Sequence, residues 1–177
     1  LLIFFFSCCF FCFFVYTFYI LTRVEAVSPW FSGGITENPS YKEFTYGNIG
    51  HFEVVEVIYD KHLISYEELL KNFWLNIDPF DPYGQFCDKG YSYRSVAFYR
   101  NDQEKKLIER DIKNIEEKFN KKVVTYLKKF EKFFKAENNH QNFYKVKFEN
   151  YLRYKKACKR EETLTDIVEI VENKQSY

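Results

Sequence analysis

The stretch GHFEVVEVIYD, residues 50–60, alternates its side chains with a period of two and predicts a β-strand. One face of this strand would carry Glu53, Val55, Val57 and Tyr59. The opposite face would carry Phe52, Val54, Glu56 and Ile58. Because Glu53 lies in line with two valines, we expect its carboxyl to be partly buried. Desolvation would raise the pKa of this carboxyl, so Glu53 is a candidate proton donor.

Further strands and one long loop are predicted around this stretch. The strand patterns are VEAVSPWF at residues 24–31, which ends before two glycines, YRSVAFYR at 93–100 and KKVVTYLKKF at 121–130. DPFDPYGQFCDKGYSY, residues 78–93, predicts a long loop, and loops of this length in compact domains tend to be functional. AENNHQNFYKV, residues 136–146, predicts a short helix or turn.

Two helices are predicted between these strands. Residues 65–77 begin with a capping box of Ser65 and Glu68, and their apolar stripe includes Trp74, which we interpret as a core residue. Residues 101–120 have Asn101 and Glu104 placed for capping. The stripe of this second helix is Leu107, Ile108, Ile112, Ile115 and Phe119. Helices interspersed with short strands predict a two-layer α+β domain.

The composition excludes several classes of function. The 177 residues carry a net charge of +1, which indicates no nucleic-acid partner. The histidines, His51, His62 and His140, lie far apart without metal-ligand spacing, so no metal site is expected. The sequence has no phosphate-binding loop, dinucleotide fingerprint or nucleophile elbow. The candidates for chemistry that remain are the cysteines and six polar residues among aromatic ones: Tyr41, His51, Glu53, Asp88, Tyr93 and His140.

Three of the five cysteines, Cys8, Cys9 and Cys12, lie within five positions. Neighbours this close cannot form the framework of a disulfide-stapled secreted domain. We therefore expect free thiols in a reducing compartment, cytoplasmic or organellar.

The motifs downstream carry a family resemblance. GGITENPSYKEFTYGNIGHFEVVEVIYD, residues 33–60, resembles the segment GG-x-T-x-NP-x-Y-x-x-V-x-x-G-x-x-GH-x-E-x-V-x-V-x-YD of the A-type peptide-methionine sulfoxide reductases. Residues 65–99 are similar to the family's L-L-x-x-F-W-x-x-x-D-P through G-Q-x-x-D-x-G-x-x-YRS-x-x-x-Y, and residues 136–144 to its E-x-x-HQ-x-Y. The likeness covers residues 24–154.

The resemblance implies an α+β fold, a two-layer mixed-sheet sandwich with a ferredoxin-like core. It implies a monomer without a metal or a bound organic cofactor, which reduces the S epimer of methionine sulfoxide, free or in proteins. A cysteine thiolate would attack the sulfoxide sulfur while an acid protonates the oxygen. The resulting sulfenic acid would become a disulfide, which thioredoxin or another dithiol reduces.

The resemblance also implies roles for particular residues. Glu53 would be the general acid, and the hydroxyls of Tyr41 and Tyr93 would bind the sulfoxide oxygen. Asp88 would line the site through hydrogen bonds, and His140 would help to shape the pocket.

The N-terminal stretch LLIFFFSCCFFCFFVYTFYIL, residues 1–21, departs from the family pattern. Aligned with the family's F-x-G-G-C-F-W-C, residues 5–12 place Cys9 at the nucleophile position and Phe10 and Phe11 at the Phe-Trp wall for the substrate methyl group. Ser7 and Cys8 replace the two glycines, and the fit needs one extra residue before Val24.

Three interpretations of this stretch stay open. Cys9 is a diverged nucleophile, or residues 1–21 are a membrane or signal segment, or the stretch is not native coding sequence. The second interpretation carries an alternative function, a catalytically inactive, membrane-anchored relic of the fold that binds methionine-rich partners.

Two cysteines outside this stretch are candidates for the resolving thiol. Cys158 lies in YKKACKR, where neighbouring cations would lower the pKa of its thiol, and Cys87 lies beside Asp88. We divide the chain into an apolar segment at residues 1–23, a reductase domain at 24–158 and a charged tail at 159–177.

Overall fold

The computed structural model describes residues 2–7, 24–34, 50–135, 149, 153, 156–160 and 162–165. The strands are β1 Leu2–Ser7, β2 Val24–Ser32, β3 Phe52–Tyr59, β4 Gly84–Gln85, β5 Asp88–Lys89, β6 Val96–Tyr99, β7 Tyr126–Lys129 and β8 Phe133–Lys135. The helices are α1 Tyr66–Trp74 and α2 Asp102–Phe119, and a 3₁₀ turn spans Tyr91–Tyr93. The predicted short helix or turn at residues 136–146 lies outside the described residues.

Six of the described strands form one mixed sheet, in the order β7-β6-β1-β3-β2-β8. β6 and β7 are parallel, and the other neighbours are antiparallel. β1, which is taken from the apolar N-terminal stretch, lies between β3 and β6, and its register with β3 runs from Leu2 opposite Tyr59 to Ser7 opposite Val54. Residues 2–7 therefore occupy an interior position of the sheet.

The two faces of the sheet pack against different partners. On the helix-side face, Val55, Val57, Tyr59 and Ala97 share a buried cluster with residues of α1 and α2. On the tyrosine-side face, Phe52, Val54, Val96 and Phe98 pack against Tyr91, Tyr126 and Phe130. Trp74 is 3% exposed within the helix-side cluster, which confirms its interpretation as a core residue. The period-two alternation predicted for β3 thus separates two layers.

Both predicted helix caps are confirmed. The Ser65 side-chain oxygen accepts a hydrogen bond from the Glu68 backbone N–H at 3.1 Å. The Asn101 side-chain oxygen accepts one from the Glu104 backbone N–H at 2.9 Å. Each cap satisfies a backbone donor that the helix leaves unpaired and contributes about 1 kcal/mol.

The prediction of an α+β fold with a mixed sheet is confirmed, but three details differ from the sequence patterns. The predicted strand at residues 121–130 is regular only over Tyr126–Lys129. The predicted loop at 78–93 contains the β4–β5 hairpin, and β8 was not predicted. β8 is held by pairing with β2, and the Ser32 hydroxyl donates to the Lys132 carbonyl at 2.7 Å, a contact between distant residues. Across the described part of the chain, no helix is long and apolar enough to cross a membrane.

Candidate active site

One end of the sheet gathers the ends of several strands. β1 ends at Ser7, whose Cα lies opposite those of Val54 in β3 and Val96 in β6. β2 ends at Ser32, opposite Phe52 in β3. Because these pairs are antiparallel, the ends of β1 and β2 meet the beginnings of β3 and β6. The ends of β1 and β2 and the beginnings of β3 and β6 are therefore close to one another.

Glu53 is the second residue of β3 at this end of the sheet. It is only 5% exposed, and its Cα lies opposite that of Phe31 in β2. This confirms that the carboxyl is buried, as its alternation with Val55 and Val57 predicts. Removal from water disfavours the charged form of a carboxyl, which is the condition for a proton donor.

His51, two residues before Glu53, ties the beginning of β3 to the end of β2. Its side chain is fully buried, its Nδ1 accepts the Gly34 backbone N–H at 3.3 Å, and its ring contacts Phe134 edge to face at 5.5 Å. His51 is among the polar residues that the sequence marks as candidates for chemistry, but without a specific role. The family motif places His51 beside Glu53, which marks it in the sequence. Its contacts with Gly34 and Phe134 could not be predicted, because they form only when distant strands pair.

The β4–β5 hairpin fixes the backbone beside Asp88. Gln85 is fully buried, and its side chain accepts the Asp78 N–H and donates to the Asp78 and Gly84 carbonyls, each at 2.8 Å. A Cβ added to Gly84 would lie 2.0 Å from the Asp88 carbonyl oxygen, so only glycine fits there. Gln85 was not predicted as a candidate, since its three bonds form only when the loop folds back on itself.

Tyr93 ends the 3₁₀ turn that follows the hairpin, and its backbone N–H donates to the Gly90 carbonyl at 3.2 Å. The turn contacts both β3 and β4. Tyr91, at its start, packs on Phe52 of β3 with ring centroids 4.9 Å apart. Burial raises the pKa of the Tyr91 hydroxyl, and the nearby Tyr126 adds to the rise. The turn that contains Tyr93 thus lies beside β3, the strand that carries Glu53, and beside β4 of the hairpin that carries Asp88.

The two candidates for the resolving thiol are joined to each other. Cys87 and Cys158 form a disulfide with a Cα–Cα separation of 5.2 Å. The expectation of free thiols is therefore wrong for this pair. The two residues are 71 positions apart in sequence, and only the packing of the C-terminal residues against the hairpin brings them together.

The remaining predicted site residues lie outside the described part of the chain: Cys9, Phe10, Phe11, Tyr41 and His140. Within the described part, no three His, Cys, Asp or Glu side chains are grouped as metal ligands would be.

A family model described as Peptide methionine sulfoxide reductase matches residues 2–171. The chain belongs to this family. A curated relative from Bacillus velezensis, the peptide methionine sulfoxide reductase MsrA, is 41% identical over 140 residues, which is 78% of this chain and 79% of the relative.

Solved structures of Mxr1 share the fold. Mxr1 from Saccharomyces cerevisiae in its reduced form has a TM-score of 0.75 at 25% identity, covering 82% of this chain and 84% of Mxr1. Mxr1 in complex with Trx2 has a TM-score of 0.54 at 20% identity, covering 78% of this chain and 83% of Mxr1. The family resemblance, the fold class and the assignment to an enzyme class, a peptide-methionine sulfoxide reductase, are thus confirmed.

Proposed function

We propose that this reductase acts on the S epimer of methionine sulfoxide, free or in proteins, with Cys9 as nucleophile and Glu53 as general acid. The observation that carries the proposal is the buried Glu53 at the end of the sheet where β1 stops. Cys9 follows Ser7 by two residues, a span of at most about 7 Å of chain. Ser7 itself pairs with Val54, the neighbour of Glu53.

In the proposed reaction the Cys9 thiolate attacks the sulfoxide sulfur. Glu53 protonates the sulfoxide oxygen, which the hydroxyls of Tyr41 and Tyr93 hold. The sulfur–oxygen bond breaks, methionine leaves, and the oxygen ends on Cys9 as a sulfenic acid. One thiol and one sulfoxide thus give one sulfenic acid and one thioether.

Four further residues complete the proposed pocket. Asp88 lines it through hydrogen bonds, His140 shapes it, and Phe10 and Phe11 contact the substrate methyl group. The support for Asp88 is its position in the hairpin that Gly84 and Gln85 fix beside the 3₁₀ turn.

We further propose that Cys87 and Cys158 return Cys9 to its thiol form. One of them condenses with the sulfenic acid and releases water, and its partner then displaces Cys9 to form the Cys87–Cys158 disulfide. Thioredoxin or another dithiol reduces that disulfide. The support is the disulfide itself and the existence of the Mxr1–Trx2 complex. The division of the chain at residues 23 and 158 stays a prediction.

The test is turnover of a peptide that carries either epimer of methionine sulfoxide, with dithiothreitol as reductant. We expect methionine to form from the S epimer only, and we expect C9S to abolish its formation while C12S retains it. Activity no higher than that of a heat-killed control would contradict the proposal. Loss of activity in C12S but not in C9S would move the nucleophile to Cys12.

A further inference from the structure

Two residues of the C-terminal segment, Cys158 and Arg160, contact the turn of the β4–β5 hairpin. Arg160 is 4% exposed and Leu164 is 7% exposed, although both lie in a charged stretch of sequence. Cys158, two residues before Arg160, is joined to Cys87. Burying an arginine destabilises a fold unless other groups compensate its charge, so Arg160 must have compensating contacts.

Arg160 contacts two parts of the chain, the residues just after α1 and the turn of the β4–β5 hairpin. Its Nη2 donates to the carbonyl of Asn76, which lies two residues beyond the end of α1. Cations are favoured there because the last carbonyls of a helix carry partial negative charge. Its guanidinium carbon also lies 4.5 Å from the ring centroid of Phe86.

Phe86 immediately precedes Cys87 in the turn of the hairpin. The turn is closed by Gln85 and Asp88, which pair with each other, and Phe86 has a left-handed φ of 49°. A bulky residue rarely adopts this conformation, so the ring needs contacts that hold it. Arg160 therefore contacts Phe86, the neighbour of Cys87, and lies two residues after Cys158.

We propose that Arg160 is a positioning residue that presents Cys158 to Cys87 and thereby sets how readily their disulfide is reduced. Contacts that hold the C-terminal segment on the hairpin raise the effective concentration of one thiol at the other. By linkage, the disulfide and the Arg160 contacts stabilise each other. The proposal goes beyond the proposed function, because it concerns the pair whether or not the pair resolves a sulfenic acid.

The test is the disulfide equilibrium of the full chain in anaerobic mixtures of reduced and oxidised dithiothreitol. Two electrons and two protons pass from the dithiol to the disulfide, which becomes two thiols. Alkylation and peptide mass spectrometry give the oxidised fraction at Cys87 and Cys158. We expect R160A to shift the equilibrium constant about tenfold toward the reduced pair, since it loses a charged hydrogen bond and a cation–π contact. R160K should give an intermediate value.

The matched control is R153A, which removes the same side chain at a position where it is 77% exposed. We expect the wild-type equilibrium constant for R153A. A wild-type value for R160A, or equal shifts for R160A and R153A, would overturn the proposal.

If R160A does not fold, the same equilibrium is measured for F86L. It removes the ring and keeps Arg160, and we expect a shift of about threefold. A wild-type equilibrium constant for F86L would then overturn the proposal. Because methionine sulfoxide is absent from this experiment, a negative result is distinct from failure of the proposed reductase reaction.

Discussion

At the scale of single residues, Glu53 shows how position determines chemistry. Glu53 and Glu56 are chemically identical and three residues apart in β3, yet they lie on opposite faces of the strand. Glu53 is buried at the end of the sheet where β1 stops, whereas Glu56 is half-buried in mid-strand. Of the two, only Glu53 is buried at this end of the sheet, and burial disfavours the charged form of a carboxyl.

We predict that E53Q lowers kcat for the S epimer by about 10²- to 10⁴-fold, because the glutamine amide is far too weak an acid to transfer a proton. The amide keeps the size of the side chain, so circular dichroism and the unfolding midpoint should change little. The control is E56Q, which removes a carboxyl from the same strand and should retain kcat within about threefold. Equal kcat values for wild type and E53Q would remove Glu53 from the mechanism.

Among the elements, the β4–β5 hairpin gives a hydrogen-bonded structure to the predicted loop that carries Asp88. Gln85 bonds the loop to itself through Asp78, and the Gly90 N–H donates to the Tyr83 carbonyl at 2.8 Å. These bonds satisfy backbone groups that would otherwise be buried without a partner, which costs about 1–3 kcal/mol for each group. The stability of the hairpin therefore depends on the close approach of β4 and β5.

We predict that G84A reduces the free energy of unfolding by about 2 kcal/mol more than G50A does. Both glycines have positive φ, but a Cβ on Gly84 would meet the Asp88 carbonyl oxygen at 2.0 Å, whereas the nearest atom at Gly50 lies at 3.8 Å. Urea unfolding of both variants measures the difference, and G84A should also lose more activity. Equal destabilisation by the two would show that the clash is relieved elsewhere.

At the scale of the whole molecule, buried tyrosines make the fold sensitive to alkaline pH. Burial raises the pKa of the Tyr66 hydroxyl far above its ordinary value, and the nearby Glu104 carboxylate adds to the rise. Burial likewise raises the pKa of Tyr59. Below pH about 10, both the folded and the unfolded chain keep these protons. Above it the unfolded chain loses them first, so stability falls as pH rises.

We predict that the free energy of unfolding falls above pH 10, and that Tyr66 accounts for up to about 1.4 kcal/mol of the loss per pH unit. Y66F should flatten this slope between pH 10 and 11, whatever its effect at pH 8. The control is Y83F, since Tyr83 is 69% exposed. Urea unfolding at a series of pH values gives the slopes, and the same slope for Y66F and wild type would contradict the prediction.

The elements with local signals could be predicted from the amino-acid sequence. The alternation of residues 52–59, the caps at Ser65 and Asn101, and the apolar stripe that buries Trp74 all depend on neighbours within a few positions. Such signals reflect the two backbone periods and the unpaired groups at helix ends, which act before any long-range contact forms. The family motifs identified candidate residues, but the distances between these residues could not be predicted from them.

The tertiary structure alone decided which distant residues meet. It placed residues 2–7 between β3 and β6, paired β8 with β2, and joined Cys87 to Cys158. It also buried Arg160 in a stretch that the sequence presents as a charged tail. Each of these contacts links segments far apart in the chain, and its free energy depends on the packing of the whole sheet and its helices. No local pattern of residues encodes them.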